Sequence, residues 1–159
     1  MKSLRIILSI IFLSIFATDN AYCQSVDHWE TVVFSNDTWR YFVGISEPNA
    51  NWRLLTFDDT DWALGQGGFG YSDNDDFTII QQCTSVYLRR KFNVADTAAI
   101  AEALFNMDYD DAFVAYMNNV EIARAGILGV HPSYNQLGAD HEATMYLGGL
   151  PGLKTLLIQ

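Results

Sequence analysis

Positive charge and cysteine are both scarce in this sequence. Nine lysines and arginines stand against 19 aspartates and glutamates in 159 residues. Lys2, Arg5 and Asp19 lie in an N-terminal stretch that reads as a leader, so seven basic and 18 acidic side chains remain beyond it, a balance of −11. Such a surface repels nucleic acid and anionic membranes, and neither is an expected partner. Removal of the leader with Cys23 leaves Cys83 alone, which excludes an intrachain disulfide. No Cys-His signature accompanies Cys83, so it reads as a buried structural thiol rather than a nucleophile.

Other chemistry is missing as well. His28, His131 and His141 are scattered, without the His-x-x-x-His spacing of a zinc site. No serine-centred nucleophile elbow is present. The glycine-rich Gly65–Tyr71 (GQGGFGY) lacks the Lys-Ser/Thr of a Walker loop and no helical pattern follows it, so it reads as a bulged segment crossing one end of the fold. A glycosidase needs two carboxylates facing each other across a cleft, and no spacing among the many acids selects such a pair. The sequence therefore predicts no enzyme, with a fragment of a glycoside hydrolase as the remaining catalytic alternative.

The apolar run Ile6–Phe16 follows Lys2 and Arg5 and precedes Ala21-Tyr22-Cys23, small residues at cleavage-site spacing. This predicts a secretory signal peptide over residues 1–23; its apolar part is short for a membrane anchor, so no membrane span is expected. Tyr22 directly before Cys23 fits a lipoprotein signal badly. The remainder, 24–159, suits one domain with a sizeable core, secreted or at the cell surface.

Period-two patterning dominates that remainder. Val86, Leu88, Arg90, Phe92 and Val94 share one face opposite Tyr87, Arg89, Lys91 and Asn93, which predicts a strand with an oily face broken by Arg90. Leu104–Tyr109 reads as a further strand. Phe113–Met117 and Val120–Ala123 flank Asn118-Asn119, two residues that tolerate positive φ, and predict a β-hairpin. Upstream, Trp39–Val43 and Trp52–Phe57 read as strands, and Asp58–Trp62 as an acidic turn whose tryptophan needs cover. Val26–Phe34 offers Trp29, Val32, Val33 and Phe34 to the core. Gly126–Asp140 is a long loop and Ala143–Leu147 a candidate strand. The expected core comprises Trp39, Phe42, Leu54, Phe57, Trp62, Val86, Leu88, Phe92, Leu104, Phe113 and Tyr116. Consecutive strands without an amphipathic helix predict an all-β, antiparallel fold.

Tyr-Leu-Arg-Arg-x-Phe-x-Val at Tyr87–Val94, Asp-Tyr-Asp-Asp-x-Phe-x-x-Tyr at Asp108–Tyr116 and Asn-x-x-Glu-Ile-Ala-Arg at Asn118–Arg124 together resemble the galactose-binding-domain-like jelly roll. That β-sandwich occurs in secreted bacterial proteins beside glycosidase, CotH-type kinase or lamin-tail modules, and is similar to the N-terminal sandwich of β-galactosidase-type enzymes. The likeness runs from about Trp39 to Met145. It implies a jelly-roll sandwich, and further modules of a longer parent protein as partners. It also implies a strand beyond the apolar run Leu153–Ile158, so that the domain is truncated at its C-terminus; the alternative is that this run is itself the closing strand.

Carbohydrate is the expected ligand, because aromatic residues are abundant and rings pack on the apolar faces of pyranoses. Most of the four tryptophans are needed for the core, so the expected contacts are Tyr71, Asp73, Asn74, Asp75 and Tyr134 in loops. Asp73, Asp75 and Asp76 also offer oxygens to a structural Ca²⁺, although an EF-hand's glycine and distal glutamate are missing and a solvated acidic turn is the competing reading. Asp108, Asp110 and Asp111 read as structural, one of them supplying the carboxylate that Arg90 needs when buried. A structural or interaction module without a sugar ligand is the alternative function.

Overall fold

The computed structural model describes residues 27–71, 76–143 and 156–158. Nine strands and one 3₁₀ turn make up these residues: β1 Thr38–Val43, β2 Ala63–Gln66, β3 Phe69–Gly70, β4 Thr78–Ile79, β5 Val86–Arg89, β6 Ala103–Phe105, β7 Phe113–Met117, β8 Val120–Ala125 and β9 Leu156–Ile158, with the 3₁₀ turn at Thr97–Ala99. The fold is all-β. No α-helix is present among the described residues, and no helix there is long and apolar enough to cross a membrane.

The central element is a three-stranded antiparallel sheet in the order β2-β1-β5. Its register pairs Tyr41 with Ala63 on one side and with Leu88 on the other, and Phe42 with Tyr87. Because side chains alternate, Trp39, Tyr41, Val43, Val86 and Leu88 share one face, and Arg40, Phe42, Tyr87 and Arg89 the other. The first face meets the β3–β4 ribbon, where Tyr41 lies 5.3 Å from Phe69 between ring centroids. That ribbon is a two-residue parallel pair, the one departure from antiparallel pairing among the described strands. The remaining pairs, β7–β8 and β6–β9, are antiparallel.

The second face, which carries Phe42 with Tyr87 and Arg89, is covered as well. Trp52, Phe57 and Trp62 lie over Phe42 and Tyr87, with Trp52–Tyr87 at 5.2 Å, Phe42–Trp62 at 5.5 Å and Phe57–Trp62 at 5.7 Å. Tyr116 of β7 reaches the same cluster, 5.8 Å from Trp52 and edge-on to it. Each such ring pair contributes on the order of 1 kcal/mol beyond its buried area. The cover is a loop, where the sequence predicted a strand at Trp52–Phe57. Its amides close on carbonyls three residues back, Trp52 on Asn49, Leu54 on Asn51 and Phe57 on Leu54. The carbonyls of Trp52 and Leu54 accept from the Arg89 guanidinium in place of a neighbouring strand.

Two arginines directly opposite each other in the register, Arg40 and Arg89, hold this loop. Arg40 Nη1 donates to the carbonyls of Trp62 (2.9 Å) and Thr60 (3.4 Å). Arg89 Nε lies 2.9 Å from Asp59 Oδ2, with side chains only 9% and 14% exposed. The sequence marked Arg90 as the arginine in need of a carboxylate, and it has one, but the partner is Asp37, at 2.9 Å, where the acidic run Asp108–Asp111 was expected. Arg90 Nη1 also donates to Thr38 O at 2.6 Å and so pins the turn that opens β1.

The Asn118-Asn119 hairpin forms as expected, with φ of 50° and 72° at the two asparagines. Other expectations are corrected. Trp29, Val32 and Phe34 are exposed, because residues 27–37 add no strand to the sheet and are tied down only near Asp37. Phe92 and Leu104 are also exposed rather than core. The strand expected to run to Val94 ends at Arg89, and that expected at Leu104–Tyr109 is the shorter β6. The glycine-rich segment holds β2 and β3 instead of a bulge alone. Leu156–Ile158, within the apolar run Leu153–Ile158, pairs with β6. The candidate strand Ala143–Leu147 lies outside the described residues after Ala143. Burial is shallow: among the described residues the buried apolar side chains are Ile80, Ala123 and Ala125, and the clustered rings of Phe42, Trp52, Phe57, Trp62 and Tyr87 are half-buried.

Candidate functional site

Of the site residues expected from the sequence, Tyr71, Asp76 and Tyr134 are among those described. Asp73, Asn74 and Asp75 lie outside the described residues. Asp76 is described, and its carboxylate occupies the space where a Cβ on Gly70 would stand. Tyr71 is exposed, its hydroxyl 3.5 Å from the Cys83 carbonyl. Tyr134 is half-buried and held by its backbone: its N–H donates to Glu47 Oε1 at 3.0 Å and its carbonyl accepts from Ser85 Oγ at 2.7 Å. Both tyrosines therefore lean on the Cys83–Ser85 segment. That segment abuts Gly44, whose N–H donates to Ser85 O at 2.8 Å and whose missing side chain makes room for Ser85. Cys83, expected to be buried, is half-buried, and that burial raises its thiol above the ordinary value.

The chemistry converges elsewhere. A cleft of about 340 Å³ opens at the end of β1 where β2 begins, lined among others by Tyr41, Phe42, Ile45, Asp61, Trp62 and Gln81. Each wall has a local cause. Tyr41 and Phe42 sit mid-strand in β1, paired on both sides. Trp62 is set by the turn before it, where Asp58 Oδ1 accepts from the Thr60 N–H at 3.0 Å and the Trp62 N–H donates to Asp59 O at 3.0 Å. The Thr60 hydrogen bonds, more than the nearby Lys91 and Arg40, hold the Asp58 carboxyl below its ordinary value. Trp52 and Phe57 then back the indole, at 6.2 and 5.7 Å. Gln81 follows Ile80, which is buried and donates its N–H to Gly70 O at 2.9 Å.

Tyr41 and Phe42 point to opposite faces of β1, so the aromatic wall on one side is Phe42 with Trp62 5.5 Å away, beside Asp61 and Gln81, in a cleft within the size range of small-molecule sites. The carboxylate of Asp61 accepts hydrogen bonds, and the amide of Gln81 both donates and accepts. The sequence pointed to Asp61 and Trp62 only as a turn and its lid. Nothing in the local pattern of Gln81 marked it, since its place depends on the β3–β4 ribbon.

The acidic run after β6 is structural at Asp111, whose N–H donates to His141 O at 2.6 Å, while His141 stacks on Tyr109 at 4.1 Å. Among the described residues, no three His, Cys, Asp or Glu side chains are grouped so as to hold a metal ion. No family model, curated protein or solved structure matches this chain.

Proposed function

We propose that this chain is a non-catalytic, secreted or surface-exposed sandwich module of jelly-roll type that binds carbohydrate in the Tyr41–Trp62 cleft. The observation that supports the reading most is the composition of that cleft, where Trp62, packed near Phe42, stands beside Asp61 and Gln81, with Tyr41 lining it from the other face of β1. Aromatic rings cover the C–H faces of a pyranose, while a carboxylate and an amide meet its hydroxyls. The galactose-binding-like sequence pattern and the N-terminal leader agree with it. The contacts differ from those expected in the loops at Tyr71, Asp73, Asn74, Asp75 and Tyr134.

A glycan array probed with the folded chain tests the reading. Retention of a neutral glycan, lost in Asp61→Ala and Gln81→Ala variants that melt like the parent, supports it. Retention of no glycan by the folded chain favours a structural module that docks onto other parts of a longer protein. That second reading has its own support in the exposed apolar side chains Leu128, Val130 and Leu137, all in the long loop after β8. Turnover of an aryl-glycoside, abolished by substitution of a single carboxylate, would instead make the protein an enzyme.

A further inference from the structure

Four of the seven basic side chains beyond the leader line one cavity. It measures about 160 Å³ and is walled by Thr38, Arg40, Asp59, Arg89, Arg90 and Lys91. In a chain with a net charge of −10 this is a concentration of the scarce charge, and the charges there are unequally answered. Arg89 is neutralised by Asp59 and Arg90 by Asp37. Arg40 bonds only neutral carbonyls, through Nη1, and its Nε and Nη2 have no hydrogen-bond partner among the described residues. Lys91 is exposed and forms no ion pair or hydrogen bond among them. Arg90 Nε is buried and unpartnered. Exposed Asp58 is the further acid on which Lys91 and Arg40 act, and it is turned to Thr60. Two cationic groups, Arg40 and Lys91, are thus left facing one cavity with donors to spare.

The cavity adjoins the aromatic cleft through shared strands. Thr38 and Arg40 precede Tyr41 and Phe42 on β1, Leu64 of the cavity follows Ala63 of the cleft on β2, and Arg40 grips the Trp62 carbonyl. Trp62 thus belongs to the cleft and is held from the cavity by Arg40, so the two sites share a wall. We propose that the glycan bound here is acidic, with a carboxylate or sulfate group seated between Arg40 and Lys91. This inference rests on the carbohydrate reading of the cleft. Guanidinium and ammonium groups match carboxylate and sulfate oxygens by charge-assisted hydrogen bonds. The acidic remainder of the surface does not forbid the approach, because charges beyond about 8 Å are largely screened at physiological salt.

Calorimetric titration of the folded chain with galacturonate tetrasaccharide, a sulfated tetrasaccharide and a neutral galactose tetrasaccharide tests this, with glucuronate and inorganic sulfate as free anions. Tighter binding of an acidic oligomer than of the neutral one by about tenfold, reduced in 0.5 M NaCl (about 3–4 Å Debye length) and lost in Lys91→Glu, is the expected result; whichever acidic oligomer binds tells carboxylate from sulfate. Lys91 is exposed, so the variant folds, and Lys91→Gln falls between. Equal binding of neutral and acidic oligomers, or a preference that survives Lys91→Glu, overturns the inference and leaves the cleft reading in place. Binding of the free anions, sensitive to Lys91→Glu, with no oligomer bound, supports the cavity as an anion site and overturns the cleft reading. Absence of all binding overturns both.

Discussion

Arg89 and Asp59 form an enclosed ion pair, Nε to Oδ2 at 2.9 Å, that joins the central sheet to the loop lying on it. The guanidinium also takes the carbonyls of Trp52 and Leu54 and lies 5.1 Å over the Phe57 ring. One side chain therefore fixes the backbone that carries Trp52 and Phe57, which in turn back Trp62 in the cleft.

Removing either partner strands the other's charge in a largely dry place, which costs on the order of 3 kcal/mol. Arg89→Met and Asp59→Ala are each expected to lower stability by about that amount in urea denaturation. Because they remove the same interaction, the double variant loses clearly less than the sum of the singles. Additive losses would show that the two residues act separately.

The hairpin turn predicts a smaller and opposite-signed contrast. Asn118 has φ of 50°, a region that a side chain with a Cβ occupies at a cost of about 1–2 kcal/mol and asparagine tolerates better. Asn118→Ala should destabilise by about 1 kcal/mol, and Asn118→Gly should be neutral or stabilising. Asn118 serves this comparison better than Asn119, whose Oδ1 accepts from Arg53 at 3.3 Å. Equal melting of the alanine and glycine variants would contradict the role given to this turn.

Acid should weaken the fold in a defined direction. The hydrogen-bonded Arg124 holds the Glu121 carboxyl below its ordinary 4.5, as Thr60 holds Asp58 below 3.8. Both folded values are depressed, so the unfolded chain binds more protons in this range and stability rises with pH. The contribution is present above the ordinary values and lost as pH falls through the folded ones. The urea midpoint should therefore fall between pH 6 and pH 3 (roughly spanning these ordinary values), and Glu121→Gln should lessen the fall. A variant with the same pH dependence as the parent would remove Glu121 from the account.

Calcium at Asp73, Asp75 and Asp76 remains a proposal from sequence. If the ion binds the folded chain, mass action raises the melting temperature in its presence. Melting in millimolar calcium (about 1–5 mM, the range of weak extracellular sites) should exceed melting in chelator, and Asp75→Ala should abolish the difference. Coincident curves leave the stretch an acidic turn.

Much of this architecture was legible in the chain. An apolar run named the strand at Trp39–Val43, alternation the one from Val86, two adjacent residues tolerant of positive φ the hairpin at Asn118-Asn119, and the acids before Trp62 a turn. Each is a short-range pattern, decided by backbone sterics and side-chain period within a few residues. The tertiary structure decided the rest. Alternation marked Arg89 for solvent and Arg90 for burial, yet Arg89 became the more enclosed because the loop that covers its face comes from residues 49–62, about 30 positions earlier. That loop stays out of a strand because a guanidinium, rather than a neighbouring ladder, satisfies its carbonyls. Likewise Asp61, Trp62 and Gln81 line one cleft because β2 and the β3–β4 ribbon fold back beside β1, a long-range pairing that no local periodicity encodes.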